Sequence, residues 1–271
     1  MSSNVSSPRS DADREYEEGN RYTVPHNILR SEVIYGEGFQ SSGGLAAFRE
    51  TVLPELPLSP GSRLLDIGSG LGGAAFHLVA EYPVEVVGVD TAELMVSISD
   101  SRRPAKDPEG RTSFVLGDVF SAALEPESFD AVYSQDTLLY SADKVKVLAR
   151  CAELLRPGGT IVVNDFCRGG STPEFEEYVE NAGYHLVAVS GYPELLAQAG
   201  FTDVVAKDVS THTNHLLRRD LDAYLARAEH DPAIGRADVE HLVERWHRKI
   251  GFMDAGALTQ GLFRAAKPLS N

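Results

Sequence analysis

The feature that most constrains this chain is a glycine-rich turn between an apolar strand-like segment and a helix-like segment. The stretch SRLLDIGSGLGGAAFHLV carries glycines at positions 68, 70, 72 and 73. Glycine permits a tight turn and lets a ligand approach the backbone closely. The spacing of Gly68, Gly70 and Gly73 matches the pattern G-x-G-x-x-G, although turns with a purely structural role share it. We therefore expect a ligand site where this strand ends.

The segments that follow alternate between strand and helix patterns. Strands are predicted at SRLLDI, VEVVGVD, TSFVLGD, FDAVYSQD and TIVVNDF, with helices at LGGAAFHLVAEY, TAELMVSISDSRR and KVKVLARCAELLRPGG. We expect Thr91 to cap the second of these helices, and Pro157 with Gly158 to stop the third. Alternation over about thirty residues predicts a parallel, doubly wound α/β sheet.

The C-terminal part has a different pattern. A helix (YPELLAQAGF) and a strand (DVVAKDVS) are followed by two long helical segments between His212 and Gln260, and then by a last strand (GLFRAAKP). A helical block between two late strands has to lie on or beside the sheet. We therefore predict a helical lid at about residues 211–260.

Three aspartates fall where predicted strands end, which is where ligands bind in open α/β sheets. Asp90 lies 20 residues after Gly70, at the position from which a carboxylate accepts both hydroxyls of a ribose. Asp118 is placed to meet an adenine amino group, and Asp66 suits a ligand with an ammonium or sulfonium group. Capping of the following helices is the alternative for Asp90 and Asp118.

The charge and the cysteine content of the chain limit the kinds of binding partner and the cellular compartment that we expect. The chain has 25 Lys and Arg against 40 Asp and Glu, a net charge of −15, which argues against binding to nucleic acid or an anionic membrane. Two cysteines cannot form a disulfide framework, so we expect a reducing compartment. Residues 1–19 are polar and acidic without a signal-like apolar segment, and no stretch is long enough to span a membrane. We expect a cytoplasmic protein with a disordered tail (1–19), one domain (20–271) and a small-molecule substrate; the sequence does not fix its oligomeric state.

The motifs LLDIGSGLGG, VVGVD, LGDVF, FDAVYSQD and LLRPGG resemble the motif series of class I S-adenosylmethionine-dependent methyltransferases. The resemblance implies a Rossmann-like, doubly wound, seven-stranded sheet with an N-terminal helical cover and a C-terminal lid insertion. It implies S-adenosylmethionine as cofactor, S-adenosylhomocysteine as product and no metal. The cofactor residues that it implies are Asp66, Gly68, Gly70, Asp90, Thr91, Asp118, Val119 and Gln135. A nicotinamide-dependent dehydrogenase and a catalytically inactive binding protein with this fold are the alternatives from other classes.

A narrower resemblance lies before that series. NRYT followed by YGEGFQSSGG resembles the N-terminal segment of phosphoethanolamine (phosphobase) and sarcosine/dimethylglycine methyltransferases. It implies that Tyr22 closes over the reacting methyl group and orients the nucleophile, while Gln40 and Ser41 line the cofactor. The alternatives are a buried core tyrosine at position 22 and a helix N-cap at Ser41.

The chain departs from this group where the acceptor is activated. The group has an Arg-Asp pair and then a histidine, whereas this chain has Gln135-Asp136 and then Tyr140. Tyrosine has an ordinary pKa near 10 and is a poor base at neutral pH. We therefore expect Asp136 to accept or orient the proton, with Tyr22 and Tyr140 as further catalytic candidates.

The residues expected to contact the acceptor also differ. Phe166 stands where the phosphobase enzymes have a tyrosine, and Ala182 stands where they have a phosphate-binding arginine, while Tyr184 and Lys249 are retained. The loss of a bidentate phosphate ligand predicts an acceptor other than a phosphobase. We expect a small nitrogenous metabolite, an amine or an indole-type heterocycle, methylated at nitrogen or carbon. Arg21 is a further candidate, and amine N-methylation of the glycine/sarcosine or phosphoethanolamine type is the alternative.

Overall fold

The strand-forming segments lie side by side in one seven-stranded sheet. The computed structural model describes residues 25–231 and 236–269, so the predicted tail falls outside the described residues. The order in space is β3-β2-β1-β4-β5-β7-β6. The strands are β1 (Arg63–Ile67), β2 (Glu85–Asp90), β3 (Thr112–Leu116), β4 (Phe129–Gln135), β5 (Leu155–Arg168), β6 (Thr202–Asp208) and β7 (Leu258–Ala266). This confirms the predicted doubly wound, seven-stranded fold.

Helices cover both faces of the sheet. They are α1 (Pro25–Tyr35), α2 (Gly44–Ala47), α3 (Gly73–Glu81), α4 (Glu93–Lys106), α5 (Lys144–Leu154), α6 (Pro173–Ala182), α7 (Tyr192–Gln198), α8 (Ser210–Ala228) and α9 (Arg236–Asp254). Successive side chains of a strand point to opposite faces of the sheet, so neighbouring residues pack into the two different hydrophobic cores. Leu65 of β1 packs with residues of α5 and α7, whereas Leu64 packs with residues of α3 and with Phe48.

The last strand corrects the expectation of a parallel sheet. β7 pairs antiparallel with both β5 and β6, while the other neighbouring pairs are parallel. Two helices separate β6 from β7, and Asn214 near the start of α8 donates a hydrogen bond to Asp254 at the end of α9 (2.7 Å). The helical pair therefore returns the chain to the same end of the sheet at which β6 finished. Because β7 starts from that end, it has to run in the opposite direction to β6.

Three predicted boundaries also change. Helix α5 ends at Leu154, and the segment LRPGG belongs to β5, where the pairing with β4 shifts register between Phe129 and Ala131. The predicted lid extends too far, because α9 ends at Asp254 and residues 258–260 already belong to β7. Thr91 does not cap α4: the N-cap is Ala92, whose amide donates instead to the Asp90 carboxylate (2.9 Å).

The lid has a core of its own above the carboxyl end of the sheet. Residues of α6, α8 and α9 bury Phe175, Leu217 and Trp246 in one cluster with Phe166 of β5. Tyr35 at the end of α1 meets the Trp246 ring edge-on, with 5.6 Å between ring centroids. The N-terminal cover and the C-terminal lid therefore pack against one another.

Two further observations bear on the chain's surroundings. Cys151 and Cys167 are both buried and carry free thiols. None of the helices that the structure describes has both the length and the apolar character required to cross a membrane.

Candidate active site

The glycine loop crosses the ends of β1 and β2. The amides of Gly68 and Ser69 both donate to the carbonyl of Val89 (2.9 and 3.1 Å). Gly68 has a φ of 75°, and a Cβ atom there would lie 2.1 Å from the Thr137 hydroxyl oxygen. Glycine is therefore required at position 68, because any side chain would push away the loop that follows β4.

A cleft lies over this loop and collects several predicted cofactor residues. Its lining is Gly38, Phe39, Gln40, Ser41, Asp66, Gly68, Ser69, Gly70, Leu71, Ala74, Tyr133 and Gln135. Gln40 is anchored by its amide, which donates to the carbonyl of Ile28 in α1 (3.0 Å). Ser41 does not act as an N-cap, since Gly43 occupies that position for α2. The structure thus brings Gln40, Ser41 and Gln135 to the glycine loop, and their contact with the cofactor stays a prediction.

Asp90 is hydrogen-bonded to Gly70, a residue of the cleft lining. One carboxylate oxygen accepts from the Gly70 amide and the other from the Ala92 amide, each at 2.9 Å. Burial raises the pKa of this carboxyl, although the backbone donors oppose the shift. Each oxygen still has a lone pair for a ligand hydroxyl. Asp90 therefore does not cap α4, whose N-cap is Ala92; it ties the glycine loop to the segment before that helix and keeps the geometry of a ribose acceptor.

Asp66 is the most deeply buried acid of the cleft, with 4% of its surface exposed. Burial raises its pKa to about 7, and the charge of Asp90 adds to the shift, while the nearby Tyr133 hydroxyl opposes it. That hydroxyl is buried and has no hydrogen-bond partner of good geometry among the described residues. The Ser69 hydroxyl, which also lines the cleft, is buried and unpaired among the described residues as well, so two hydroxyls of the cleft lack the partners that burial calls for.

The remaining predicted cofactor residues lie after β2 and β3. Asp118 is exposed, and one of its oxygens accepts from the amides of Phe120 and Ser121 and from the Ser121 hydroxyl. These bonds lower its pKa, chiefly through Ser121. Val119 is buried and Thr91 is exposed. One oxygen of Asp118 therefore stabilises the turn that follows β3. Its other oxygen accepts no hydrogen bond from that turn among the described residues.

The cleft fits a cationic nucleoside ligand. Asp66, Asp90 and Asp118 place negative charge along the ends of three adjacent strands, and a pyrophosphate would be repelled there. S-adenosylmethionine carries an ammonium, a sulfonium, ribose hydroxyls and an adenine amino group. It would compensate Asp66 and use the free lone pairs of Asp90, so the residues present match this cofactor.

A second cluster begins in the loop that follows β4, at Asp136. Asp136 adopts a φ of 52°, unusual for a residue with a side chain, and its amide donates to the carbonyl of Asn164 (2.8 Å). The Gln260 amide nitrogen donates to the Asp136 carboxylate (3.0 Å) and to the Asn164 side-chain oxygen (3.1 Å). Burial raises the pKa of Asp136 to about 6, against the Gln260 hydrogen bond and the charge of Lys249. Such a carboxylate is ionised, and able to take up a proton, near neutral pH.

Two of the predicted acceptor residues flank this cluster. The Lys249 ammonium lies 4.5 Å from the centre of the Phe166 ring, over its face. Behind them, on the other side of β5, Asp165 is fully buried and accepts a hydrogen bond from the Tyr192 hydroxyl (2.8 Å). Burial and the neighbouring charge of Asp136 raise the pKa of Asp165. A carboxyl, an ammonium and an aromatic face thus converge beside the cofactor cleft.

The other predicted residues divide into two groups. Tyr140 and Tyr184 meet edge-on with 5.3 Å between ring centroids, and Tyr184 also contacts Tyr178 of α6. They form an aromatic wall at the end of α6. Arg21 and Tyr22 lie outside the described residues, so their proposed roles remain predictions from the sequence.

A larger groove of about 470 Å³ lies beyond Tyr184, the only predicted site residue in its lining. Its cations are already engaged, since Lys144 donates to the carbonyls of Ser141 and His185 and Arg168 pairs with Glu176. We do not place the methyl acceptor there.

Sequence reasoning missed Gln260, Asn164 and Tyr133. Gln260 falls at the end of the predicted lid, although it belongs to β7. No local sequence pattern marks its amide as a partner of Asp136. Asn164 was visible in the strand TIVVNDF, where a buried amide two residues before Phe166 is a usable signal. Tyr133 was visible in the same way, as a hydroxyl in the otherwise apolar strand β4.

Comparison with known proteins agrees with this geometry. Residues 58–205 match the model of a methyltransferase domain family. Phosphoethanolamine N-methyltransferase 1 of Arabidopsis thaliana is 35% identical over 243 residues, which are 89% of this chain and 49% of that protein. The Plasmodium falciparum phosphoethanolamine N-methyltransferase is 30% identical over 94% of this chain and 97% of its own length. The chain spans about half the length of the plant relatives.

Solved structures show the same fold. Haemonchus contortus phosphoethanolamine N-methyltransferase 2, in complex with phosphomonomethylethanolamine and S-adenosylhomocysteine, superposes with a TM-score of 0.84 at 26% identity, covering 96% of this chain and 60% of that one. A putative sarcosine dimethylglycine methyltransferase from Galdieria sulphuraria gives 0.74 at 22% identity, covering 89% of this chain and 97% of that one. The chain belongs to the class I S-adenosylmethionine-dependent methyltransferases, in the group that contains the phosphoethanolamine N-methyltransferases.

Proposed function

We propose that this enzyme methylates the nitrogen of a small amine, and that Asp136 accepts the proton released by the amine. The observation that carries this proposal is the position of Asp136. It follows directly after Gln135, which lines the cofactor cleft, and its carboxylate bonds to Gln260 on the acceptor side. A base in this place lies between donor and acceptor.

One of the two clusters would bind the methyl donor, and the other would bind the acceptor and take up its proton. Asp66, Asp90, Gln40 and the glycine loop would hold S-adenosylmethionine, which supplies a methyl group on a sulfonium. The amine nitrogen forms a bond to the methyl carbon, the carbon–sulfur bond breaks with its electron pair remaining on sulfur, and the proton of the new ammonium passes to Asp136. Alignment of the reactants supplies about 7–11 kcal/mol in well-oriented systems, so positioning is the main contribution of the chain.

The acceptor side favours an amine that lacks a phosphate group. Phe166 and Ala182 offer no hydrogen bond from their side chains at two positions where the phosphobase enzymes have a tyrosine and a phosphate-binding arginine. The Lys249 ammonium remains, and it lies over the Phe166 ring and near Asp136. A neutral amine, or one with a single weak anionic group, is consistent with this arrangement.

Phosphoethanolamine is the second candidate. The support is the identity of 30–35% to phosphoethanolamine N-methyltransferases, together with the presence of Tyr184 and Lys249. An indole-type heterocycle has less support, since Asp136, Asn164 and Gln260 make the surroundings of the base polar.

A panel of acceptors tests the proposal. The protein would be incubated with S-adenosylmethionine and each of ethanolamine, phosphoethanolamine, glycine, sarcosine and tryptamine, and S-adenosylhomocysteine release and methylated product would be measured by mass spectrometry. We expect turnover of an unphosphorylated amine. Faster turnover of phosphoethanolamine would favour the second candidate, and cofactor binding without turnover of any amine would contradict both.

A further inference from the structure

Gln260 occupies a defined place beside the base. In the antiparallel pairing of β5 and β7 it lies directly opposite Phe166, and directly opposed residues share one face of the sheet. Its side chain is almost completely buried, with 1% exposed. It therefore stands on the acceptor face together with Phe166 and Asn164.

The surrounding hydrogen bonds fix the orientation of its amide. The Asn164 amide nitrogen donates to the carbonyl of Gly261 (3.1 Å), so the Asn164 oxygen has to face Gln260. Only the nitrogen of Gln260 can donate to that oxygen and to Asp136. Both hydrogens of this nitrogen are thereby used, because an amide NH₂ has two.

The oxygen of the same amide is unpaired. Oε1 of Gln260 is buried and has no hydrogen-bond partner among the described residues. A buried carbonyl oxygen without a donor is uncommon in proteins and calls for an explanation. A hydrogen-bond donor from the acceptor molecule would supply the missing partner.

Geometry allows one ligand atom to serve both this oxygen and Asp136. The two polar atoms of an amide are about 2.3 Å apart, so Oε1 lies at most about 5.3 Å from the Asp136 oxygen that Gln260 contacts. The two hydrogens of an amine nitrogen diverge by about 107°, so oxygens at about 2.9 Å from that nitrogen lie about 4–5 Å apart. The bridge therefore requires that Asp136 accept the Nε2 hydrogen on the same side of the amide as Oε1, which keeps the Gln260 nitrogen out of the space between the two oxygens. A nitrogen that carries two hydrogens can then serve both oxygens.

We infer that Gln260 is a specificity-determining residue: its Oε1 and the Asp136 carboxylate each accept one hydrogen from the reacting nitrogen. This inference rests on the proposed amine acceptor. Two such bonds leave the nitrogen lone pair directed away from both oxygens, free to form the bond to the methyl carbon. A primary amine donates to both oxygens, a secondary amine to one and a tertiary amine to neither. The enzyme therefore selects for the number of N–H bonds.

The test compares ethanolamine with N-methylethanolamine and N,N-dimethylethanolamine, each with and without phosphate. Gln260→Met removes both functions of the amide at similar size, and Gln260→Glu keeps the accepting oxygen. Gln198→Met is the matched control, because Gln198 is exposed and, among the described residues, its side chain bonds to Glu194 on its own helix. Kinetic constants would be measured for each amine, with amine binding to the S-adenosylhomocysteine-loaded protein measured by calorimetry.

We expect wild type to prefer the primary amine over the secondary one, and the ratio of their kcat/KM values to fall roughly tenfold in Gln260→Met. In Gln260→Glu and Gln198→Met the ratio should stay near that of wild type. If the ratio of the two kcat/KM values were unchanged in Gln260→Met, with cofactor affinity intact, the role of Gln260 would be overturned and the proposed function would not. If Gln260→Met does not fold, Gln260→Glu still decides the matter. A fall in its ratio of kcat/KM for the primary over the secondary amine would overturn the role of the Gln260 oxygen. Absence of both binding and turnover of every amine by wild type would overturn the proposed function as well.

Discussion

The side-chain amide of Gln260 lies 3.0 Å from the carboxylate of Asp136, although 124 positions separate the two residues in the chain. The contact joins the last strand of the sheet to the loop beside the cofactor cleft. It also opposes the effect of burial on the pKa of Asp136, which nevertheless stands at about 6.

The first prediction is that turnover depends on the ionisation of Asp136. A base has to be deprotonated, so kcat should rise with pH through about 6 and level off above 7, if chemistry limits the rate. Asp136→Asn should lower kcat by about 100-fold or more and abolish this rise. Initial rates at saturating cofactor between pH 5 and 8 would measure it. An acid limb that persists in Asp136→Asn would assign the titration to another group.

The second prediction concerns Asp66 and cofactor binding. With a pKa of about 7, this carboxyl is partly protonated at neutral pH, and a cationic ligand prefers its ionised form. S-adenosylmethionine affinity should therefore increase from pH 6 to 8, and binding near pH 7 should release protons. Calorimetry in buffers of different ionisation enthalpy would count them. Asp66→Asn should remove the proton release, and a release of equal size in that variant would refute the assignment.

The third prediction is that Asp90→Ala weakens cofactor binding by tenfold or more, because hydrogen bonds to a charged acceptor contribute about 1.5–3 kcal/mol each. The variant also leaves the amides of Gly70 and Ala92 without their acceptor. Asp100→Ala is the control, since Asp100 is an exposed residue of α4 whose ion pair within the described part of the chain is with Arg103. Equal affinities of the two variants would show that Asp90 does not contact the cofactor.

The fourth prediction separates backbone strain from steric overlap. Gly183→Ala should cost about 1–2 kcal/mol in the free energy of unfolding, because its φ is 68° but nothing lies within 4 Å of a Cβ atom there. Gly68→Ala should cost roughly 1–3 kcal/mol more, since its Cβ would overlap Thr137. Denaturant unfolding would measure both. Equal costs would mean that the loop after β4 yields without penalty.

The fifth prediction addresses acceptor choice. Ala182→Arg places a guanidinium at the last position of α6, beside Tyr184, and should raise kcat/KM for phosphoethanolamine relative to ethanolamine about tenfold. Asn181→Arg adds the same charge one position earlier and should leave the ratio nearly unchanged. Equal effects of both variants would point to general charge attraction rather than a specific phosphate contact.

Much of the cofactor half could be predicted from the sequence, because its signals are local. Asp66 and Asp90 lie at the ends of strands whose apolar runs are visible, the glycines follow the first of them, and parallel strands bring those ends together. The acceptor half depends on contacts distant in the chain. The antiparallel course of β7 follows from the packing of α8 on α9, and no short pattern around Gln260 records which residue it will face.

The position of β7 has a consequence for the order in which the molecule assembles. Among the strands that the structure describes, β6 borders β7 alone, and β7 follows it by about fifty residues. β6 therefore cannot join the sheet until the intervening helices have formed a pair and delivered β7 to β5. The bond between Gly70 and Asp90, by contrast, closes a loop of only 20 positions, against 124 for the bond between Gln260 and Asp136. The part of the donor cleft around the glycine loop and Asp90 thus depends on short loops, whereas the pocket for the acceptor waits for the arrival of Gln260.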